Sequence, residues 1–309
     1  MSILVVGSVA FDAIETPSGR RDRCLGGAAT YFSLAASYFT PVRVIGVVGE
    51  DFGPEEEGVL TRRGIDTRGI ERAPGKSFFW RGSYMQNLNE AQTLDTELNV
   101  FQSFSPKIPD VYRDSEYLFL ANIDPVLQAD VRSKMPHVKM VCGDTMNYWI
   151  KDHGENLARV LPHLDALLIN DGEVKMLAKE SNLVRAAQKV LAMGPRSLVV
   201  KHGEYGATAF FGDHSFGGQH KSGPFRVPAL PLDAVVDPTG AGDSFAGGFF
   251  GYIASQPALT PAVFRRAMFY GSVMGSFAVE RFGTERLQNL DKDEIEDRFA
   301  LFRQLSHLD

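Results

Sequence analysis

The chain has 309 residues, room for two domains of roughly 150 residues or one large α/β unit, and this length excludes a small disulfide-stapled scaffold. Lys plus Arg total 32 against 38 Asp plus Glu, a formal charge of −6 with no like-charge block longer than Glu55-Glu56-Glu57. A partner held through nucleic-acid phosphates, which needs clustered Lys and Arg, is therefore not expected. With 44% hydrophobic and 23% charged residues the composition is that of a chain that folds. Cys24 and Cys142 form neither a disulfide framework nor a CxxC metal pair and suit a reducing compartment. Met1 leads straight into Ile3-Leu4-Val5-Val6 without a basic or long apolar leader. The longest apolar stretch, 245–254, is broken by glycines and falls short of the about 20 residues that span a bilayer. The expectation is a cytoplasmic protein with no membrane partner.

In chain order, residues 3–9 read as a buried strand, 28–39 as a helix and 42–49 as a second strand, which makes a βαβ unit. Apolar runs recur at 117–120, 138–142, 166–169 and 197–200, separated by helix-length segments. Nearly continuous apolar strands alternating with helices describe a doubly wound, mostly parallel α/β sheet covered on both faces. Residues 76–100 break this rhythm. There Phe78, Trp80 and Tyr84 alternate with Phe79, Arg81 and Met85, the pattern of antiparallel strands with aromatics on one side. Those aromatics either cover a ligand or fill the core of an edge hairpin.

Thr239-Gly240-Ala241-Gly242 is a small-residue turn that opens an apolar helix, so its N–H groups point outward and form an anion site. Asp243 falls in the first helical turn, where the dipole stabilises a carboxylate. It is either a helix cap or a base that takes a hydroxyl proton beside a bound phosphoryl group. Asp12 follows the first strand, at the carboxyl end where open α/β sheets bind ligands, with a turn cap as the alternative. Two rival classes fail on spacing. Ala73-Pro74-Gly75-Lys76-Ser77 has Ile70 where a P-loop needs glycine, and Gly7 is followed by Ser8-Val9-Ala10-Phe11-Asp12, without the remaining glycines of GxGxxG. The seven histidines show no metal-ligand spacing, and His202 reads as a solvated loop residue.

Asp237-Pro238-Thr239-Gly240-Ala241-Gly242-Asp243-Ser244-Phe245 resembles the C-terminal signature of the PfkB carbohydrate kinases, the ribokinase-like family that includes adenosine and other nucleoside kinases. Gly26-Gly27 resembles the family's diglycine, followed at the usual distance by Val47-Val48-Gly49-Glu50-Asp51-Phe52-Gly53. Asn170-Asp171-Gly172-Glu173 is similar to its Asn-x-x-Glu motif, and Lys201-His202-Gly203-Glu204-Tyr205-Gly206-Ala207 to its Gly-rich turn near the nucleotide phosphates.

The resemblance implies a single ribokinase-like domain over 1–309, with a small β-sheet lid built from about 12–25 and 75–100. It implies ATP and Mg²⁺, with Asp243 as the general base and the N–H groups of Gly240, Ala241 and Gly242 on the γ-phosphoryl. Asp12, Gly26, Gly27 and Tyr31 would bind the acceptor. Asn170, Glu173, Lys201, Gly203, Gly206 and Thr239 would serve the nucleotide, Glu173 reaching Mg²⁺ through water, and Asp237 is a candidate K⁺ ligand. Without the family, Asn170 and Glu173 read as a strand-end turn and a helix-entry acid, and Lys201 as a surface lysine. Two departures bear on the acceptor. Tyr31 stands near the place of an Asn common in sugar-specific members, and Asp144-Thr145-Met146-Asn147 carries its Asn one residue late for Asp-x-Asn. The acceptor is a nucleoside or a sugar, with the aromatics tilting toward a nucleoside. Rivals are a ribokinase- or fructokinase-like sugar kinase and, from another class, a non-catalytic binding or regulatory relative. An exposed lid edge suits a homodimer.

Overall fold

The computed structural model describes residues 1–213, 215–218 and 223–306, so the last three positions of the expected 1–309 domain lie outside the described residues. In chain order the strands are β1 (Ile3–Val6), β2 (Ala10–Thr16), β3 (Gly19–Gly26), β4 (Val42–Val48), β5 (Asp66–Arg72), β6 (Phe78–Ser83) and β7 (Gln92–Glu97). There follow β8 (Tyr117–Leu120), β9 (Met140–Gly143), β10 (Ala166–Asn170), β11 (Ser197–Lys201), β12 (Ala207–Phe211) and β13 (Phe225–Val227). Nine of them form one sheet in the order β13-β12-β11-β10-β9-β8-β1-β4-β5. Seven run parallel, from β5 to β11, and β12 pairs antiparallel with both neighbours.

The apolar strands are buried on both faces, and their alternate residues enter two different cores. Ile3 and Val5 of β1 join Phe32, Phe119, Phe249, Phe250 and Phe277 under the helices Ala28–Ala36, Ala241–Ser255 and Pro261–Ala278. Leu4 and Val6 join Leu118, Leu120, Val131, Val174 and Val190 on the other face. Phe32 stacks on Phe119 at 4.1 Å between ring centroids, which fixes the helix Ala28–Ala36 against the sheet centre. From β1 the chain goes to β4 on one side and later to β8 on the other, so a crevice opens beyond the carboxyl ends of β1 and β8.

The remaining four strands form a second, smaller sheet in the order β3-β2-β6-β7. Here the structure corrects the sequence reading: the apolar run 3–9 is not one strand. β1 ends at Val6, Gly7 to Val9 cross over, and Ala10 begins the small sheet, so Asp12 lies within β2 rather than at the end of the first strand. The helix expected over 28–39 ends at Ala36. Among the described residues no helix is long and apolar enough to cross a membrane.

Candidate active site

The turn of residues 237–240 delivers the chain to the N-terminus of the helix Ala241–Ser255. Gly240 has φ 72°, and a Cβ there would overlap the Tyr31 ring, so the position requires glycine on both counts. Asp237 is fully buried and holds the turn: its two oxygens accept the N–H groups of Thr239 and Gly283, each at 2.8 Å. Of the N–H groups expected to meet an anion, that of Ala241 instead closes a turn onto the Pro238 carbonyl at 3.2 Å. Those of Gly242 and Asp243 have no backbone acceptor among the described residues, as befits the first turn of a helix. With the helix dipole behind them they make an anion-attracting end.

Lys201 closes β11 in register with Asn170 at the end of β10. Its Nζ would lie only 2.9 Å from a Cβ placed on Gly242, so the ammonium stands at the same helix end. Three carboxylates share this one cation. Burial pushes the Asp243 carboxyl up to about 6, with Lys201 pulling it down and Glu173 pushing it up. Asp144, just past β9, is buried with one oxygen that has no partner among the described residues. Burial and then Asp243 hold its pKa well above the usual carboxylate range, against Lys201. Burial also raises Glu173, again against Lys201.

Asn170 and Glu173 cap the helix Asp171–Ala178 reciprocally. The Asn170 N–H donates to Glu173 Oε2 at 2.9 Å, and the Glu173 N–H to Asn170 Oδ1 at 2.8 Å. The helix-entry reading of this motif is thus physically present, and it leaves the second Glu173 oxygen outside the cap. Beyond Lys201 the chain makes the short 3-10 turn Gly203–Tyr205, closed by His202 N–H to the Gly206 carbonyl at 2.8 Å. His202 is half-buried with Nε2 3.0 Å from the Thr208 hydroxyl, so it is not the solvated loop residue expected.

On the other side of the crevice Asp12 sits in β2, opposite Cys24 of β3 and beside Trp80 of β6. Burial, then Asp237 and Asp243, push its carboxyl up to about 8, opposed by a hydrogen bond from the Gly27 N–H. Gly26 passes so close that a Cβ there would overlap the carboxylate, and Gly27 is the N-cap of the helix that carries Tyr31. Tyr31 is 1% exposed, lies beneath Gly240, and its hydroxyl has no partner among the described residues. The aromatic row divides. Phe78 stacks on Phe101 at 5.2 Å, and Trp80 packs with Ile14, Tyr84 and Phe282 while its Nε1 donates to the Thr93 hydroxyl at 3.2 Å. Tyr84 is buried and reaches the 237–240 turn, its hydroxyl 3.3 Å from Thr239 Oγ1.

One end of the large sheet therefore collects Asp12, Gly26, Gly27, Tyr31, Asp237, Thr239 and Gly240 to Asp243, with Lys201, Asn170 and Glu173 beside them. Two further participants carry a sequence signal but no assigned role: Asp144, in the Asp-x-Asn-like segment directly after an apolar strand, and Tyr84, in the aromatic row, whose reach to the 237–240 turn comes from the small sheet folding over.

A family model described as pfkB family carbohydrate kinase matches residues 2–290, and the chain belongs to that family. It is 27% identical over 268 residues to the cytidine kinase of Thermococcus kodakarensis, covering 83% of this chain and 90% of that protein. It is 24% identical over 317 residues to the nucleoside kinase of Methanothermobacter thermautotrophicus, covering 92% of this chain and 91% of that one. Among solved structures, the Burkholderia thailandensis nucleoside kinase in complex with inosine superposes with a TM-score of 0.75 at 21% identity, over 97% of this chain and 98% of that one. The expected ribokinase-like α/β fold is borne out, and so is a phosphotransferase with a hydroxyl acceptor.

A carboxylate must be ionised to accept a proton, and burial raises Asp243 to about 6, with Lys201 opposing the rise and Glu173 adding to it. Between about pH 5 and 7, below the Asp12 value of about 8, kcat/KM is expected to rise about tenfold per unit on the acid side of 6 and to level above it. A profile that stays flat through pH 6 excludes Asp243 as the group that titrates.

Proposed function

We propose that the protein is an ATP-dependent, Mg²⁺-requiring nucleoside kinase that phosphorylates the hydroxymethyl group of its acceptor. The observation that carries this reading is the convergence of buried Asp12 on the helix end that bears Asp243, the Asp12 carboxyl lying near enough to feel the charges of Asp237 and Asp243 while Gly26 and Gly27 close on it. The cytidine and nucleoside kinases among the relatives support the nucleoside as acceptor.

In this reading Asp12, with the Gly26-Gly27 backbone and Tyr31, holds the acceptor's hydroxyl groups and aims the hydroxymethyl at Asp243. The Asp243 carboxylate takes the hydroxyl proton as the acceptor oxygen bonds to the γ-phosphorus, and the bond from that phosphorus to the β-bridging oxygen breaks to release ADP. The helix-end N–H groups of Gly240, Gly242 and Asp243, with the turn at Ala241 and Thr239, bear the charge that grows on the phosphoryl oxygens. Lys201 neutralises phosphate charge, and the turn of Gly203 and Gly206 flanks the nucleotide.

Among the described residues no three His, Cys, Asp or Glu side chains form a metal cage, which suits an ion carried mainly by phosphates and water. The residues fit such an ion: Asp144, Glu173 and Asp243 outnumber Lys201, and Asp144 keeps an unpartnered oxygen. When bound, Mg²⁺ would neutralise phosphate charge, with Asn170 and Glu173 holding its water shell. Asp237 is the proposed K⁺ ligand, through a carboxylate already fixed by two N–H groups. The small sheet is the proposed lid, built from Ala10–Thr16, Gly19–Gly26, Phe78–Ser83 and Gln92–Glu97, all within one domain. Strand β7 is exposed along its whole length, which supports a homodimer through the lid, read out as the solution mass. The free thiols Cys24 and Cys142 support a cytoplasmic location.

The experiment is acceptor-dependent ADP release with Mg·ATP, a panel of nucleosides against a panel of pentoses and hexoses, with Asp243→Asn as the blank. Turnover of nucleosides that disappears in the blank is expected. Turnover confined to the sugars transfers the assignment to a sugar kinase, and silence on both panels with ATP still bound transfers it to a non-catalytic relative.

A further inference from the structure

The connection between β6 and β7 leaves the small sheet and spans the crevice, with three anchors. Tyr84, the residue after β6, meets Thr239 through the two hydroxyls at 3.3 Å. Leu88 packs into the cluster of Ile14, Tyr84 and Phe282. Asn89 then reaches the turn after β11: its Oδ1 accepts the Glu204 N–H at 3.1 Å, and its Nδ2 donates to Glu204 Oε1 at 3.1 Å. A Cβ on Gly203, which has φ 57°, would overlap the Asn89 amide, so the approach depends on glycine there. The side-chain amide satisfies both groups of Glu204 at once, because it carries a donor and an acceptor side by side. The two residues are 115 positions apart in the chain, so this contact exists only when the small sheet lies over the crevice.

We propose that Asn89 is a positioning residue that latches the small sheet to the Gly203–Tyr205 turn, so that closing over the acceptor and setting the nucleotide turn are one event. The inference rests on the reading above, in which that turn flanks the nucleotide and the small sheet is the lid. A ligand under the lid favours the closed state, the closed state holds the turn, and by linkage each substrate tightens the binding of the other. A site completed only when both substrates are present also excludes the water that would otherwise hydrolyse ATP.

The test is a charge-balanced pair of variants in the full-length protein. Asn89→Asp keeps an acceptor for the Glu204 N–H but sets two carboxylates against each other; adding Glu204→Gln restores the missing donor. Amide hydrogen exchange is followed over residues 84–90 and 202–206. In Asn89→Asp both segments are expected to exchange about 2- to 10-fold faster, the effect of about one hydrogen bond, with an unchanged urea midpoint. The double variant is expected to recover. Unchanged exchange over 202–206 in the single variant, or no recovery in the double, overturns the latch.

The same three proteins are then titrated with a non-hydrolysable ATP analogue, with and without the acceptor identified by the panel. The acceptor is expected to tighten analogue binding by about 5-fold or more in the native chain and in the double variant, but not in Asn89→Asp. Equal tightening in all three overturns the positioning role. Coupled exchange in a native chain that phosphorylates neither panel leaves the latch standing and overturns the kinase reading instead.

Discussion

Replacing Asp243 by Asn is expected to lower kcat by about 10²- to 10⁴-fold while leaving the fold and ATP affinity in place. The substituted side chain has nearly the same shape, and the N–H groups of Gly242 and Asp243 stay at the end of the same helix. What disappears is the proposed proton acceptor. A carboxyl held at about 6 is ionised at neutral pH yet basic enough to share a proton in the transition state, a combination that an amide lacks. The electrostatic consequence points the other way for the nucleotide. Asp243 raises the pKa of Asp144, and without that charge Lys201 faces Asp144 and Glu173 alone, so the site becomes less repulsive to phosphate. ATP affinity should hold or improve as turnover collapses, which equilibrium binding and single-turnover kinetics on one preparation read separately. Turnover near that of the native chain removes the general base, and weakened ATP binding with parallel loss of structure would recast Asp243 as a cap.

The parts of this site that were legible in the sequence are those with a contiguous pattern. The helix-opening turn announces itself because glycines, a small residue and an acid must adjoin, and the strands at 117–120 and 166–169 because both faces of a parallel strand are buried. The first strand was overextended for the same reason. Residues 3–9 are all buried, but beyond Val6 they are buried where two sheets meet, and hydrophobicity alone does not report which sheet covers a residue. The aromatic row shows a further boundary. Its alternation correctly implies strand, yet Phe78 rests on Phe101 while Tyr84 meets Thr239 across the crevice, and only tertiary structure decides between those fates. Asn89 carries no local pattern at all, since its two hydrogen bonds join distant parts of the chain. Tyr31 was legible as a departure from the sugar-kinase pattern, but its place beneath Gly240 with an unpartnered hydroxyl was not.

At about pH 9, where a carboxyl held at about 8 is ionised, substitution of Gly26 by Ala is expected to raise the acceptor KM by about 10- to 150-fold with kcat and the ATP KM little changed. The backbone at Gly26 is an ordinary strand conformation, so alanine imposes no conformational penalty of its own; the added methyl would overlap the Asp12 carboxylate instead. Asp12 cannot retreat along its strand, because β2 is paired on one side to β3 and on the other to β6. Its carboxyl must rotate, which breaks the hydrogen bond from the Gly27 N–H and turns its oxygens away from the acceptor. A hydrogen bond to a charged group contributes about 1.5–3 kcal/mol, and losing one such contact sets the range given. The effect should fall on KM because Asp12, in the proposed reading, holds the acceptor equally in ground and transition states, whereas Asp243 and the helix-end N–H groups stand on another element. A fall in kcat at unchanged acceptor KM would mean that Asp12 acts on the reacting atoms and not on the hydroxyl groups that orient them. Unchanged kinetics would place the acceptor away from β2 altogether.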